Sequence, residues 1–183
     1  MRDVHFTIHT SRFTLHIACD KFDGATGLPY SIGVFLPTPA WSDPMSTLHI
    51  IVGSMSYTAR MEEQDAPQTC AAFRTLLPYR QKIIHARWSG EACWVPLGDF
   101  ALGVGYENHT SHPAPGEILW YPGGYSETEI LFPYGAACFA SKLGQLAGNH
   151  FLTIVEGREQ MREMGHKVLW EGAQEIVFEL MGA

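Results

Sequence analysis

The chain has 183 residues, 46% hydrophobic and 17% charged, enough to bury a core and too apolar for a disordered chain. A formal charge of −7 with no Lys/Arg cluster excludes the basic footprint that nucleic acid requires. No apolar run reaches the ~18–20 residues that span a bilayer, so a membrane partner is not expected either.

The N-terminal MRDVHFTIHT alternates polar and apolar and lacks the continuous apolar stretch of a secretory signal. Cys19, Cys70, Cys93 and Cys138 show no C-x-x-C spacing. Both features point to a reduced, cytoplasmic compartment in which the cysteines act as small hydrophobes.

Along the chain, Val4, Phe6 and Ile8, then Phe13, Leu15 and Ile17, alternate with polar residues around His9-Thr10-Ser11-Arg12. That pattern predicts a β-hairpin over 4–18. Residues 23–44 are rich in Gly, Pro and Ser, the composition of a connector, and Met45 precedes a fresh apolar segment. Residues 1–45 are therefore expected to be an N-terminal hairpin extension and connector, and residues 46–183 a separate domain. Strands are expected at 47–53 and 55–61, joined near Gly53-Ser54. A helix over about 66–77 follows, with Asp65 as its cap, Pro67 in the first turn and Gln68 completing a capping-box-like arrangement. Ala66, Cys70, Phe73 and Leu77 share its apolar face, and Pro78 stops it.

Further strands are predicted at 81–88, 91–96, 100–105, 117–121, 127–132 and 150–155. A second helix is predicted over 157–171, with Met161, Met164, Val168 and Leu169 inward and Gly172 at its end. The last strand is Glu175 to Leu180. Eighteen glycines and eleven prolines suit many short strands. Two widely spaced helices without βαβ alternation imply a mainly β fold, a closed antiparallel barrel plugged by helices.

Several segments carry a family resemblance. Ala66-Pro67-Gln68-Thr69-Cys70-Ala71-Ala72-Phe73 resembles the first helix of cyclophilins. His150-Phe151-Leu152-Thr153-Ile154-Val155-Glu156-Gly157 resembles the cyclophilin strand that turns into the second helix. Gly116-Glu117-Ile118-Leu119-Trp120-Tyr121-Pro122-Gly123 is similar to a stretch of small bacterial cyclophilin-like barrels. The block from about Leu48 to Leu180 thus resembles a bacterial family of uncharacterised cyclophilin-like β-barrel domains. The resemblance implies a cyclophilin-like closed eight-stranded barrel capped by two helices, and no particular activity.

A cyclophilin isomerase uses an arginine that directly follows a histidine, with a glutamine later. Here His85-Ala86-Arg87 is one residue longer, Glu91, Trp94 and Val95 follow, and Gln145 stands where the pocket tryptophan belongs. His150 matches the pocket histidine by motif. Taking Ser89-Gly90 as a two-residue turn pairs Arg87 with Ala92 and His85 with Trp94. Arg87, His85 and Trp94 would then share the outer face, with Ile84, Ala86, Cys93 and Val95 on the core side. A solvated surface arginine is the plain alternative.

His109-x-x-His112 has no third ligand at a usual spacing, so neither a metal nor another cofactor is expected. Glu107 and Asn108 suit loop capping or groove lining. The glycines of Pro122-Gly123-Gly124-Tyr125 suit a hairpin turn better than a phosphate loop. The sequence therefore predicts binding of a small molecule or short peptide in a groove lined by Arg87, Trp94, Glu107, Asn108, Tyr121, Asn149 and His150. One alternative is weak peptidyl-prolyl isomerisation, with Arg87 polarising the amide and His150 orienting the peptide. Another is a structural module that forms a homo-oligomer through the N-terminal hairpin.

Overall fold

The computed structural model describes residues 6–10, 13–17 and 46–181. The expected turn residues Ser11 and Arg12, Cys19 and the connector over 23–44 lie outside the described residues. The chain divides into two units, Met1–Trp41 and Ser42–Ala183. In the first, β1 (Phe6–Thr10) and β2 (Phe13–Ile17) pair antiparallel, with Phe6 opposite Ile17 and Thr10 opposite Phe13.

The second unit opens with β3 (Thr47–Val52), β4 (Met55–Met61), α1 (Pro67–Arg74) and β5 (Tyr79–His85). A 3₁₀ turn at Arg87–Ser89 leads to β6 (Gly90–Gly98), β7 (His109–Thr110), β8 (Glu117–Tyr121) and β9 (Thr128–Ala137). The short β10 (Ala140–Ser141) and β11 (Gly144–Gln145) form a small hairpin. The chain ends with β12 (Gly148–Glu156), a 3₁₀ turn at Arg158–Gln160, α2 (Met161–Glu171) and β13 (Gln174–Leu180).

The strand order β4-β3-β13-β5-β6-β9-β8-β12 returns to its start because β12 also pairs with β4, which closes an antiparallel eight-stranded barrel. β7 lies beside the first residues of β12, at Gly148 and Asn149, on the stretch that β4 does not reach. The alternation seen in the sequence is the pleat: Leu48, Ile50 and Val52 of β3 point inward, as do Met55, Tyr57, Ala59 and Met61 of β4. From α1, Phe73 enters the interior against Phe151, Phe178 and Tyr79, with ring centroids 4.9, 5.3 and 5.8 Å apart. From α2, Met161, Met164 and Val168 join the same interior. Tyr79 begins β5, and Tyr134, which packs on Gly165 of α2, is bonded to His85 at the end of β5. The two helices thus serve opposite ends of the cylinder.

β9 departs from simple alternation, being buried at eight consecutive positions from Thr128 to Gly135. A second apolar cluster explains this. Ala86, Ala92, Trp94, Leu119, Tyr121 and Leu131 lie together outside the barrel, covered by Phe139 and Leu146, which flank the β10–β11 hairpin. One region of the sheet is therefore apolar on both faces. Among the described residues no helix is long and apolar enough to cross a membrane.

Several local expectations need correction. The helix over 157–171 begins as a 3₁₀ turn and becomes α-helical only at Met161. α1 ends at Arg74, and Asp65 does not cap it: the N-cap position is Ala66, without a side-chain hydrogen bond. No strand forms over 100–105, where Leu102 and Val104 rest partly buried against the core and Gly103 takes a φ of +79°. Glycine at that φ leaves the ladder, and the apolar alternation there marks loop packing only. The Ser89-Gly90 turn also differs. The 3₁₀ turn sets Ile84 opposite Trp94 and His85 opposite Cys93, shifting the expected register by one. A one-residue slip exchanges faces: Ile84 and Ala86 join Trp94 outside, while His85 leaves that face. Cys93 and Val95 point into the core.

Candidate functional site

The seven residues expected to line a groove fall into three groups. Glu107, Asn108, Asn149 and His150 lie together, where β12 meets the loop before β7. Trp94 and Tyr121 lie in the outer apolar cluster. Arg87, exposed in its 3₁₀ turn between β5 and β6, stands apart, and β9 and β8 separate β6 from β12. Arg87 and His150 are therefore not brought to one point.

In the first group most polar capacity is already used. Asn149 is fully buried; its amide donates to Thr69 Oγ1 at 3.0 Å and to the Gly105 carbonyl at 2.8 Å. Its carbonyl accepts from the Glu107 N–H at 3.1 Å, which satisfies the side chain inside the protein. Glu107 Oε1 accepts from the Thr69 N–H at 2.5 Å, an unpaired donor in the first turn of α1. The carboxylate caps the helix from 38 residues away, replacing the expected local cap. Asn108, at a φ of 44°, clamps the backbone of His150: its side-chain amide donates to the His150 carbonyl at 2.9 Å, and its main-chain carbonyl accepts from the His150 N–H at 3.1 Å. Asparagine is among the few residues that tolerate this conformation.

His150 keeps a side chain free to act. Its Nε2 lies 2.8 Å from Thr153 Oγ1, and the Thr153 hydroxyl donates to Glu62 Oε1, which also accepts from Arg60 at 2.7 Å. A hydroxyl has one proton, and Thr153 gives it to Glu62. The proton in the first bond must therefore sit on His150 Nε2, leaving Nδ1 as acceptor in the neutral ring. No described residue hydrogen-bonds to that Nδ1, which is also absent from the buried unpaired atoms. β12 supplies His150 and Thr153, and Arg60 lies directly opposite Thr153 on β4. Glu62 is 8% exposed and follows immediately after β4.

The outer cluster holds different chemistry. Leu119 sits opposite both Leu131 and His150, and Trp94 opposite Leu131, so one cross-strand row runs from Trp94 to His150. Its ends are three strand spacings apart, about 14 Å. The Tyr121 hydroxyl accepts from the N–H groups of Tyr125 at 3.1 Å and Ser126 at 3.2 Å, which ties the end of β8 to the loop that follows it. Trp94 is 7% exposed and packs edge-on against Trp88 at 5.6 Å. Beside them lies Glu129, which the pattern of the sequence did not single out. It is 2% exposed, with Tyr121 and Pro96 as its cross-strand neighbours. Burial, and then the charge of Glu127, push its carboxyl up to about 8.

Elsewhere, His85 Nε2 meets the Tyr134 hydroxyl at 2.7 Å, and burial followed by the nearby Arg87 charge lowers its pKa. Burial pushes the thiols of Cys70 and Cys93 up to about 12, which suits the role of small hydrophobes. Cys138 is exposed. Among the described residues no three His, Cys, Asp or Glu side chains group as metal ligands.

Solved structures similar to this chain include McbB in complex with tryptophan, at 20% identity and a TM-score of 0.58 over 74% of this chain. The chain spans 45% of McbB. The hypothetical protein AF2241 from Archaeoglobus fulgidus aligns at 19% identity and a TM-score of 0.47, over 74% of this chain and 94% of its own. No curated protein matches the sequence. Residues 48–180 match the family described as "Protein of unknown function (DUF3830)", and the chain belongs to that family.

Proposed function

We propose that the chain binds a small polar molecule or a short peptide on the outside of a cyclophilin-like barrel, with His150 Nδ1 accepting a hydrogen bond from the ligand. One observation carries this reading: the His150–Thr153–Glu62–Arg60 chain, which fixes the imidazole by its Nε2 proton and leaves its other nitrogen unused by any described residue. An oriented imidazole backed by a carboxylate is a preorganised acceptor, because the ring loses no further freedom when the ligand arrives. Asn108 fixes the His150 backbone on both sides of its Cα, at the N–H and at the carbonyl. The cyclophilin resemblance of residues 66–73 and 150–157 supports the same choice of face, and residues 1–45 are read as an extension of the 46–183 domain. Because McbB, a barrel of similar fold, was solved with tryptophan, free amino acids stand first among the ligands to test.

The test is a ligand-observed NMR screen of amino acids, small carboxamides and short peptides, repeated on His150→Ala and Thr153→Val. A ligand of this site should bind His150→Ala about tenfold more weakly or worse. Thr153→Val should weaken it too, since an imidazole without its hydroxyl acceptor no longer holds one tautomer. Equal binding to wild type and His150→Ala, or no ligand that moves the His150 ring resonances, would overturn the proposal.

A further inference from the structure

The outer apolar cluster contains two polar atoms for which the fold provides nothing. Glu129 Oε2 and the Trp94 indole Nε1 are both buried and have no hydrogen-bond partner. Glu129 is 2% exposed and Trp94 is 7% exposed. Native structures rarely leave such atoms unpaired, least of all a carboxyl oxygen among aromatic rings. Other orphaned atoms occur singly: Trp120 Nε1 inside the barrel, and Arg60 Nε and His85 Nδ1 elsewhere.

The Trp94 and Glu129 pair is different because both residues belong to one face. Trp94 stands opposite Leu131 and Glu129 opposite Pro96 on the paired strands β6 and β9, which makes Trp94 and Glu129 diagonal neighbours. Such positions lie about 7–8 Å apart, within the span of one small molecule. The roof over them is light. Phe139 and Leu146 flank the hairpin formed by the two-residue strands β10 and β11. Beside that hairpin runs the loop from Pro122 to Ser126, with Gly123 and Gly124 at φ of +89° and +103°. The two segments are latched where the Tyr125 hydroxyl donates to the Leu143 carbonyl, and both residues are exposed, at 59% and 54%.

We propose that this roofed patch is a binding site for an apolar amide, whose N–H donates to Glu129 while its carbonyl accepts from the Trp94 indole. The two orphaned atoms select that class. An ammonium offers the indole N–H no acceptor, a carboxylate brings no N–H for the Glu129 oxygen, and a hydrocarbon leaves both atoms unpaired. An amide presents one donor and one acceptor in a rigid plane, and Leu119, Leu131 and Tyr121 supply apolar walls for its substituents. Entry requires the Tyr125–Leu143 latch to open. The site is argued independently of the His150 reading, and either can fail alone.

The experiment titrates the full chain with N-methylbenzamide and with methyl benzoate, which keeps the carbonyl and loses the N–H. The readout is the ¹H–¹⁵N signal of the Trp94 indole, identified by its loss in Trp94→Phe. The expected result is saturable movement of that signal by the amide, with the ester about tenfold weaker or worse. Glu129→Leu should weaken the amide by a similar factor, and Tyr125→Phe should speed its association. His150→Ala should leave the preference for amide over ester unchanged. An indole signal that neither compound moves, equal affinity for amide and ester, or undiminished binding to Glu129→Leu would overturn the proposal. Should Glu129→Leu fail to fold, the amide–ester comparison on wild type decides.

Discussion

Replacing Glu129 by Gln should flatten the pH dependence of stability, with a sign opposite to that of most carboxylates. Its carboxyl titrates near 8 in the folded chain against an ordinary value of 4.5, because burial among Tyr121, Pro96 and Trp94 disfavours the charged form and Glu127 adds a like charge. Between those values the folded state holds a proton that the unfolded state has released. Stability therefore falls as pH rises through this window, and the loss is complete above the folded value. The gap of about 3.5 pH units at about 1.4 kcal/mol each gives up to about 5 kcal/mol, of which about 4 kcal/mol accrues between pH 5 and pH 9.

Glutamine keeps the shape and cannot ionise. Urea unfolding of wild type and Glu129→Gln at pH 5 and pH 9 isolates the effect, since titrating groups that do not interact with Glu129 cancel in the difference. The variant should lie within about 1 kcal/mol of wild type, or slightly above it, at pH 5. It should exceed wild type by several kcal/mol at pH 9, as a shift in midpoint at constant slope. Parallel pH profiles would refute the reasoning, because they would mean that Glu129 ionises in the folded chain as freely as in water.

Gly165→Ala should destabilise the protein although alanine is the better helix former. An added Cβ would run into the Tyr134 ring. That overlap costs about 1–3 kcal/mol and outweighs the gain in helix propensity of about 1 kcal/mol. A thermal melt decides, and a raised midpoint would contradict the packing. Glu107→Ala should lower stability by about 1–2 kcal/mol through loss of the α1 cap, while Asp65→Ala, with no cap to lose, should change it by under about 0.5 kcal/mol. Denaturant titration of both variants checks the assignment.

The barrel was legible because most of its strands obey a two-residue period, as Leu48, Ile50 and Val52 do. Punctuation by glycine and proline marked where most elements end. What escaped depended on partners distant in sequence. Glu107 looks like any loop carboxylate until α1 presents Thr69 to it. The register between β5 and β6 turned on one residue, and nothing local distinguishes a two-residue turn from the 3₁₀ turn at Arg87–Ser89, whose Ser89 hydroxyl is held by Ala140 on a later segment. Glu129 was hidden for a related reason. An acidic residue at every second position of a strand normally signals the solvent side, and only the hairpin carrying Phe139 and Leu146 turns that side into an interior. His150 entered the candidate set by resemblance and by its place beside Asn149 at a strand end, while the hydroxyl and carboxylate that orient it, from Thr153 and Glu62, left no local signal.

The double-sided burial of β9 has a consequence for how the cylinder comes apart. Its amides are shielded from inside and outside, whereas β5 exposes Arg80 and Lys82 and fully buries only Ile83. Deuterium should therefore enter β5 early and reach Ile130, Leu131 and Phe132 only when the whole domain opens. A closed ring of strands has no natural first edge to peel, and the lopsided insulation of this one supplies a seam at β5 and a last-surviving stave at β9.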